Sequence, residues 1–473
     1  MHGLLAYFTK RLHGGHTLEL GVLRSLLKKT GGYGFADSES TASLAKEQLD
    51  GRCGHILLKR ETSDFGVVEM VNIDSSRRLR VALQHDACGV TLLILLSQLR
   101  TRVLFESSKD SPRQIKLVGN LYDTCQRTLN TLLAYLTDGS EDLRDSKQGG
   151  GGAIACYANS LPTLGQLHEK FGICSPSAWT LCRPLIRAAI LISEAVAEVK
   201  QTKSKLNNDL NLPTHLQSFH PSSDEIQKTC RKMIPESCWR HITPLVYQHF
   251  FTYQISDLYC PENRYLAEIS RLNKEVERLK NYQRGGREAA GMKAALSAKA
   301  AAAGGTDREI RAATAFTEKD EIKMERFKSS ARELLFHMER QMKHCKLLRD
   351  KMRLEKNQLF ANLEGKDGKI MTASVFLARC IYPRTLQSAE DAMYCARYIE
   401  LLHEMDTPGF PTLQLLDSIV NAVVGAIYSI TEDEAGCLGI FFEKIWNLIS
   451  DWRYDENKYD SAVSKRVSLY FFF

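Results

Sequence analysis

The residue types able to do chemistry are scattered along this 473-residue chain and never grouped into a reaction centre. His13-Gly14-Gly15-His16 offers two imidazoles, but a zinc site takes three or four ligands, and no Cys, Asp or Glu pair stands nearby to complete one. A helix N-terminal turn is the simpler reading. Gly31-Gly32-Tyr33-Gly34-Phe35 is glycine-rich, yet it lacks GxGxxG spacing and no Gly-Lys-Ser/Thr follows, so it is not a nucleotide cradle. Lys116 and Asp123 have the types of an acid/base pair; a helix-surface pair beside a core stripe explains them more simply. Cys380, Cys395 and His403 lie too far apart in sequence for a compact metal site. Arg384 and Arg397 can bind a carboxylate or a phosphate, and Asp391 is a nearby acid for them to satisfy. No nucleophile, base and oxyanion donor assemble from any local motif. The expectation is a protein with no catalytic, cofactor or metal site of its own.

The elements that position these residues read as helices. Phe376 to Leu413 predicts two short helices joined at a Pro383-Arg384 corner. Thr372 can cap the first, which stops near Ile381 because Pro383 disfavours helical geometry at Tyr382. Ser388 can cap the second, whose Ala392, Cys395, Ile399 and Leu402 recur at three and four residues and share one buried face. Thr17 to Lys29 carries Leu20, Leu23 and Leu27 on one face and ends before Gly31-Gly32. Gly119 to Leu136 carries Leu121, Cys125, Leu129 and Leu132. Trp179, Trp239 and Tyr247 read as core anchors. Gly149 to Gly152 lies in a flexible surface insertion, a second insertion runs from Thr202 to Asn211, and Val67 to Ile73 is the one strand candidate. Helices this short cannot bury their apolar faces alone, so the expected fold is all-α, an irregular stacked, solenoid-like helical array.

Composition agrees with a soluble helical protein: 44% hydrophobic and 25% charged. The thirteen cysteines form no CxxC pair and no signal peptide precedes them, so they read as reduced core residues. Two apolar segments, Val90 to Leu99 and Ile419 to Ile430, fall short of the roughly 20 residues that cross a bilayer. The second is expected to be a buried helix capped at Thr412, with Leu416, Val420, Val423 and Ile427 inward.

Three regions follow: a helical array over 1–260, a basic coiled-coil hairpin over 261–366, and a C-terminal helical array over 367–473. In the middle region Tyr265, Ile269, Leu272, Val276 and Leu279 form a short heptad run. Phe327, Ala331, Leu334, Met338, Cys345, Leu348, Met352 and Leu359 form a longer one, with Gln341 and Glu355 as polar interruptions. An Ala/Gly-rich connector from Gly285 to Gly305 separates them. The pattern predicts a projecting antiparallel hairpin, or else a seam that pairs with another subunit. This region holds 24 Lys and Arg against 16 Asp and Glu, which leaves 39 against 40 in the rest of the chain. The net positive charge therefore sits on one element, concentrated in Lys343, Lys346, Arg349, Lys351, Arg353 and Lys356. Such a face can neutralise RNA phosphates, or it can be a solvated coiled-coil surface.

Four collinear blocks carry a resemblance. Lys116-Leu117-Val118-Gly119-Asn120-Leu121-Tyr122-Asp123 is the first, and Arg183-Pro184 follows. Trp239, Ile242-Thr243-Pro244, Tyr247, Phe250, Asp257-Leu258, Pro261 and Tyr265 come next. Pro383-Arg384, Asp391-Ala392, Tyr394-Cys395-Ala396-Arg397 and Thr407-Pro408 complete the strongest stretch, and Glu434-Ala435, Gly439 and Trp452 continue it. In this order they resemble the THO complex subunit 2 family. The resemblance implies a non-enzymatic scaffold in the nucleus, coupling transcription to mRNA processing and export. It implies as partners the other THO complex subunits, a DEAD-box RNA helicase and mRNA, with no membrane. The alternative is a free-standing RNA-binding helical protein that uses its basic hairpin. The start at Met1-His2-Gly3-Leu4-Leu5 falls within the resembling region, and Lys465 to Phe473 departs from its pattern, so a truncated chain is expected.

Overall fold

The computed structural model describes residues 2–17, 19–31, 73–107, 115–137, 153–202, 212–300, 308–360 and 365–460. Among them every regular element is helical, as the periodicity predicts, and the one ladder contact is an isolated antiparallel bridge between Ile242 and Phe360. Of the strand candidate, 67–72 lie outside the described residues, while Ile73 opens a helix, Ile73–Gln84. Residues 32–35, the Gly149 to Gly152 run, 203–211 and 461–473 also lie outside.

The chain divides into two compact units. Among the described residues the larger comprises those up to Leu258 and from Arg349 onward, and the smaller those within Tyr259–Leu348. The principal helices are α1 (His2–His13), α2 (Glu19–Gly31), α3 (Cys88–Ser107), α4 (Ile115–Thr137), α5 (Ser175–Thr202), α6 (Pro244–Thr252), α7 (Glu262–Ala300), α8 (Arg308–Glu355), α9 (Lys366–Phe376), α10 (Ala389–Glu404), α11 (Thr412–Ala426) and α12 (Glu432–Tyr454).

In the larger unit α1 packs on α3, α2 on α4, α3 along α4, α5 on α6, α9 on α11 and α10 on α12. Leu20, Leu23 and Leu27 of α2 are buried, as are Cys125, Leu129 and Leu132 of α4. Helix α3 is longer than its apolar run suggests. The stretch Arg78–Phe105 is long and apolar enough to cross a membrane by length and composition. Leu92, Leu93 and Leu96 are nevertheless fully buried within the unit, where α3 lies along α4, so α3 is a core helix. The aromatic centre is built by Trp179 of α5, which stacks on Phe251 at 6.0 Å and meets Tyr247 edge-on at 6.5 Å.

The corner at Pro383 differs from the sequence expectation. Helix α9 is preceded by Gly365 at φ 96°, and Thr372 is not its cap: its hydroxyl donates back to the Gly368 carbonyl at 2.9 Å. The chain also does not leave the helix at Ile381. It widens into a π turn, Leu377–Ile381, closed by the Tyr382 amide on the Leu377 carbonyl, and continues as a helical turn, Tyr382–Thr385. Proline lacks an amide and crowds the preceding carbonyls, and the wider turn accommodates both. The carbonyl of Ile381 instead accepts from the Thr385 hydroxyl at 2.8 Å, and the Cys395 thiol approaches it at 3.8 Å. Ser388 caps α10 as expected, its Oγ accepting from the Asp391 amide at 3.1 Å, and Ala392, Cys395, Ile399 and Leu402 are fully buried.

Helix α11 buries Leu416 of the expected face but exposes Val420. Leu415, Leu416 and Ile419 point inward, whereas Val420 is 50% exposed and Ile427, past the helix end, is 59% exposed. Thr412 is the first residue of α11, with its hydroxyl 3.2 Å from His403 Nδ1. The buried face is the one that packs on α9 and on the Leu377–Ile381 turn, a tertiary fact that periodicity does not contain.

In the smaller unit α7 and the 308–348 part of α8 run antiparallel. Their shared core is Tyr265, Leu272 and Val276 against Phe327, Ala331, Leu334 and Met338, with Ile269, Leu279 and Met324 at its edge. Gln341, the polar interruption, accepts from the Tyr265 hydroxyl at 3.0 Å and donates to the Tyr259 carbonyl at 3.0 Å. The Ala/Gly-rich stretch expected to be a loose connector is helical through Ala300, since alanine is the strongest helix former and outnumbers glycine there.

Candidate functional site

Four of the motif residues, Arg183, Arg384, Asp391 and Tyr394, converge in the larger unit on a buried ionic junction. Asp391, in the first turn of α10, receives Arg183 Nη1 from α5 at 2.8 Å and Arg384 Nε from the Tyr382–Thr385 turn at 2.7 Å. Arg384 is fully buried. Its Nη2 donates to the Tyr253 carbonyl at 2.7 Å and its Nη1 to the Phe250 carbonyl, while Arg183 Nε reaches the Phe251 carbonyl at 3.3 Å. Two guanidinium groups thus occupy the C-terminal end of α6, where unpaired carbonyls favour positive charge. Tyr394 covers the assembly, its ring 3.6 Å from the Arg384 guanidinium carbon. Burial pushes the Asp391 carboxyl up, but Arg183 and Arg384 outweigh it and hold the group below the ordinary carboxylate range. Burial and the charge of Arg384 lower Arg183 in turn. Asp391 was foreseen as a partner for Arg384. Its second partner, Arg183, was not, because it lies 208 residues away and no local pattern announces it.

Around the junction the other motif residues have structural positions. Pro184 lies inside α5, and Pro244 opens α6 with Thr243 as its cap. The Thr243 hydroxyl also meets the Leu359 carbonyl at 2.7 Å, tying the start of α6 to the residues that follow α8. Trp239 is half-buried, edge-on to Tyr247 at 5.8 Å. Cys395 is fully buried, and Arg397 pairs with Glu400 on the surface of α10.

Lys116 and Asp123 do not form a surface pair. Lys116 is exposed, whereas Asp123 is 3% exposed and binds the start of α12: the Thr431 hydroxyl donates to it at 2.6 Å and the Asp433 amide at 3.3 Å. Burial raises the Asp123 carboxyl above its usual value; the Thr431 hydroxyl and the Asp433 amide oppose the shift, and the Asp433 charge adds to it. Thr431 itself forms a capping box with Glu434. A Cβ added at Gly119 would meet the Thr431 methyl at ordinary contact distance, and Arg127 of the same helix pairs with Asp433. Helices α4 and α12 are therefore joined by charges 306 to 310 residues apart in sequence.

A third buried arginine has no signature in the sequence. Arg100 of α3 is 4% exposed and bonds to neutral groups: Gln126, Gln387 at 3.2 Å, Ser177 at 2.7 Å and Cys174 at 3.3 Å, with Tyr122 beneath it at 5.3 Å. Burial pushes the Tyr122 hydroxyl up to about 12.

The basic residues of α8 serve several ends. Lys343 and Lys346 are exposed in the smaller unit. In the larger, Arg349, Lys351 and Arg353 are exposed; Arg353 lies 3.4 Å from Asp350, and the Lys351 charge acts on His220 and His249. Lys356 donates to the Met405 carbonyl at 2.9 Å, closing the end of α10. His13 to His16 is the C-terminal turn of α1, where Gly15 takes φ 79° and the His16 amide meets the Arg11 carbonyl. Among the described residues no three His, Cys, Asp or Glu side chains group as metal ligands.

An all-α protein whose buried charges hold sequence-distant helices together is an architectural class. Residues 239–471 match the Tho2 family model, described as transcription factor/nuclear export subunit protein 2. The chain is 27% identical over 460 residues to human THO complex subunit 2, covering 97% of this chain and 25% of that protein. It is 24% identical to THO complex subunit 2 of Arabidopsis thaliana, covering 97% of this chain and 23% of that protein. Residues 239–471 belong to the Tho2 family, and the chain spans about a quarter of the length of the curated relatives it matches.

Proposed function

We propose that this chain is a non-enzymatic scaffold segment of a THO complex. The observation that carries the reading is a match to THO complex subunit 2 proteins that runs along 97% of the chain rather than through one domain. The placement of the motif residues supports that role: Arg183, Arg384 and Asp391 form a buried ion-paired junction and Asp123 holds the start of α12, so these residues join sequence-distant helices. In this reading the segment acts in the nucleus, holds other THO subunits, and presents a DEAD-box RNA helicase to mRNA during processing and export. Any ATP hydrolysis belongs to the helicase. A second reading, direct RNA contact, is favoured by the exposed Lys343 and Lys346. Neither reading calls for a membrane.

Affinity purification of the tagged chain from nuclear extract, with nuclease treatment and mass spectrometry, separates them. Nuclease-resistant recovery of THO subunits is the expected result. Partners that vanish with nuclease would replace the scaffold with the RNA-binding reading, and robust intrinsic ATPase activity of the purified chain would contradict both.

A further inference from the structure

The smaller unit carries a second amphipathic face on α8, separate from the seam that meets α7. Leu335, Phe336, Met342 and Leu347 are 42%, 48%, 40% and 44% exposed, although each is large and apolar. At about 100° per residue they fall within an arc of roughly 140° on the helix, on the side away from Leu334 and Met338. They form two rows, Leu335 with Met342 and Phe336 with Leu347. Between the rows stand Arg332, Lys343 and Lys346, all exposed, with Glu339 and Glu325 as acids among them, Glu325 lying 4.0 Å from Arg332. The seam facing α7 is already filled, by Tyr265, Leu272 and Val276.

We propose that this face docks an acidic amphipathic helix of a partner protein. Charge complementarity selects the occupant: a row of Asp or Glu on the incoming helix meets Arg332, Lys343 and Lys346, while flanking Leu or Ile side chains cover the two apolar rows. The apolar rows favour a protein over RNA, because phosphate neutralisation needs no leucine or methionine and a single Phe is a poor base-stacking platform. The inference rests on the scaffold reading and names the chemistry of one of its partners.

The test uses the full chain and a fluorescein-labelled amphipathic peptide of Leu and Glu in heptad repeat, read by anisotropy, with a fluorescein-labelled 15-nucleotide polyuridine measured alongside. Saturable peptide binding that weakens with salt is expected, and K343E/K346E should weaken it at least tenfold. The apolar truncation L335A/M342A should weaken it by a similar factor. Circular dichroism and thermal melts equal to the parent show that these exposed positions leave the fold intact. Absence of peptide binding overturns the proposal, as does binding that the apolar truncation leaves unchanged. Polyuridine binding that is lost in K343E/K346E, with no peptide binding, assigns the face to RNA instead. Repeating the nuclear purification with L335A/M342A keeps the two readings apart. If THO subunits still co-purify while the peptide fails to bind the parent, the docking inference falls and the scaffold stands.

Discussion

The two units solve the problem of holding helices together in opposite ways. The hairpin of the smaller unit uses one narrow apolar seam between helices adjacent in sequence, within which Gln341 bonds to Tyr265 and to the Tyr259 carbonyl. The larger unit buries charge: Asp391 joins α5, the end of α6, the Pro383 turn and α10, and Asp123 joins α4 to α12. Apolar faces are interchangeable among partners of similar shape, whereas a buried carboxylate accepts only donors in fixed directions. The hairpin is thus specified by local pattern, and the larger unit by a few long-range ionic contacts that set which helices meet.

That contrast can be broken most sharply at Asp391. Asp391→Asn removes the one negative charge between two buried guanidinium groups and is expected to cost about 3–5 kcal/mol in a denaturant titration. Hydrogen exchange should rise together around Arg183, Phe250–Tyr253 and Arg384, far apart in sequence. The same contribution is pH-dependent. Because the folded carboxyl lies below its unfolded value of about 3.9, its stabilisation is present at neutral pH and is lost as pH falls below about 4. The D391N chain should lack that portion of the acid dependence.

Leu334→Ala, at a fully buried seam position, is expected to cost about 2–5 kcal/mol. Its exchange signature should stay within 259–348. If protection around Asp391 fell equally, the division into separately specified units would be wrong. A smaller effect is expected at Thr431→Ala, which removes a helix cap and one bond to Asp123, at about 1 kcal/mol. Weakened protection should appear at the start of α12 and along α4 near Asp123.

What could be read from sequence follows the same division. The heptad positions from Tyr265 to Met338 and the Ser388 cap depend on residues within a turn or two, so periodicity and cap chemistry locate them. The Arg384–Asp391 pair was legible for the same reason, its members being seven residues apart. Arg183 and Thr431 as partners of Asp391 and Asp123 were not, since their contacts exist only once the helices have packed. Val420 and Ile427 were misplaced because an apolar stripe states that a face can be buried and says nothing about which neighbour is there to bury it. The rule that Pro383 disfavours helical dihedrals at Tyr382 is local, and it does not contain the change of winding by which the chain upstream accommodates the proline.

That adjustment works as a phase shifter. A turn closed over five residues carries one residue more than an α turn, and each residue is worth about 100° of rotation. The widening at Leu377–Ile381 therefore sets the angular position at which Arg384 leaves the helix. Shortening that stretch by one residue would leave every side chain of the junction present while turning the Arg384 guanidinium out of register with Asp391. The junction is thus as sensitive to chain length at this turn as to the identity of its charges.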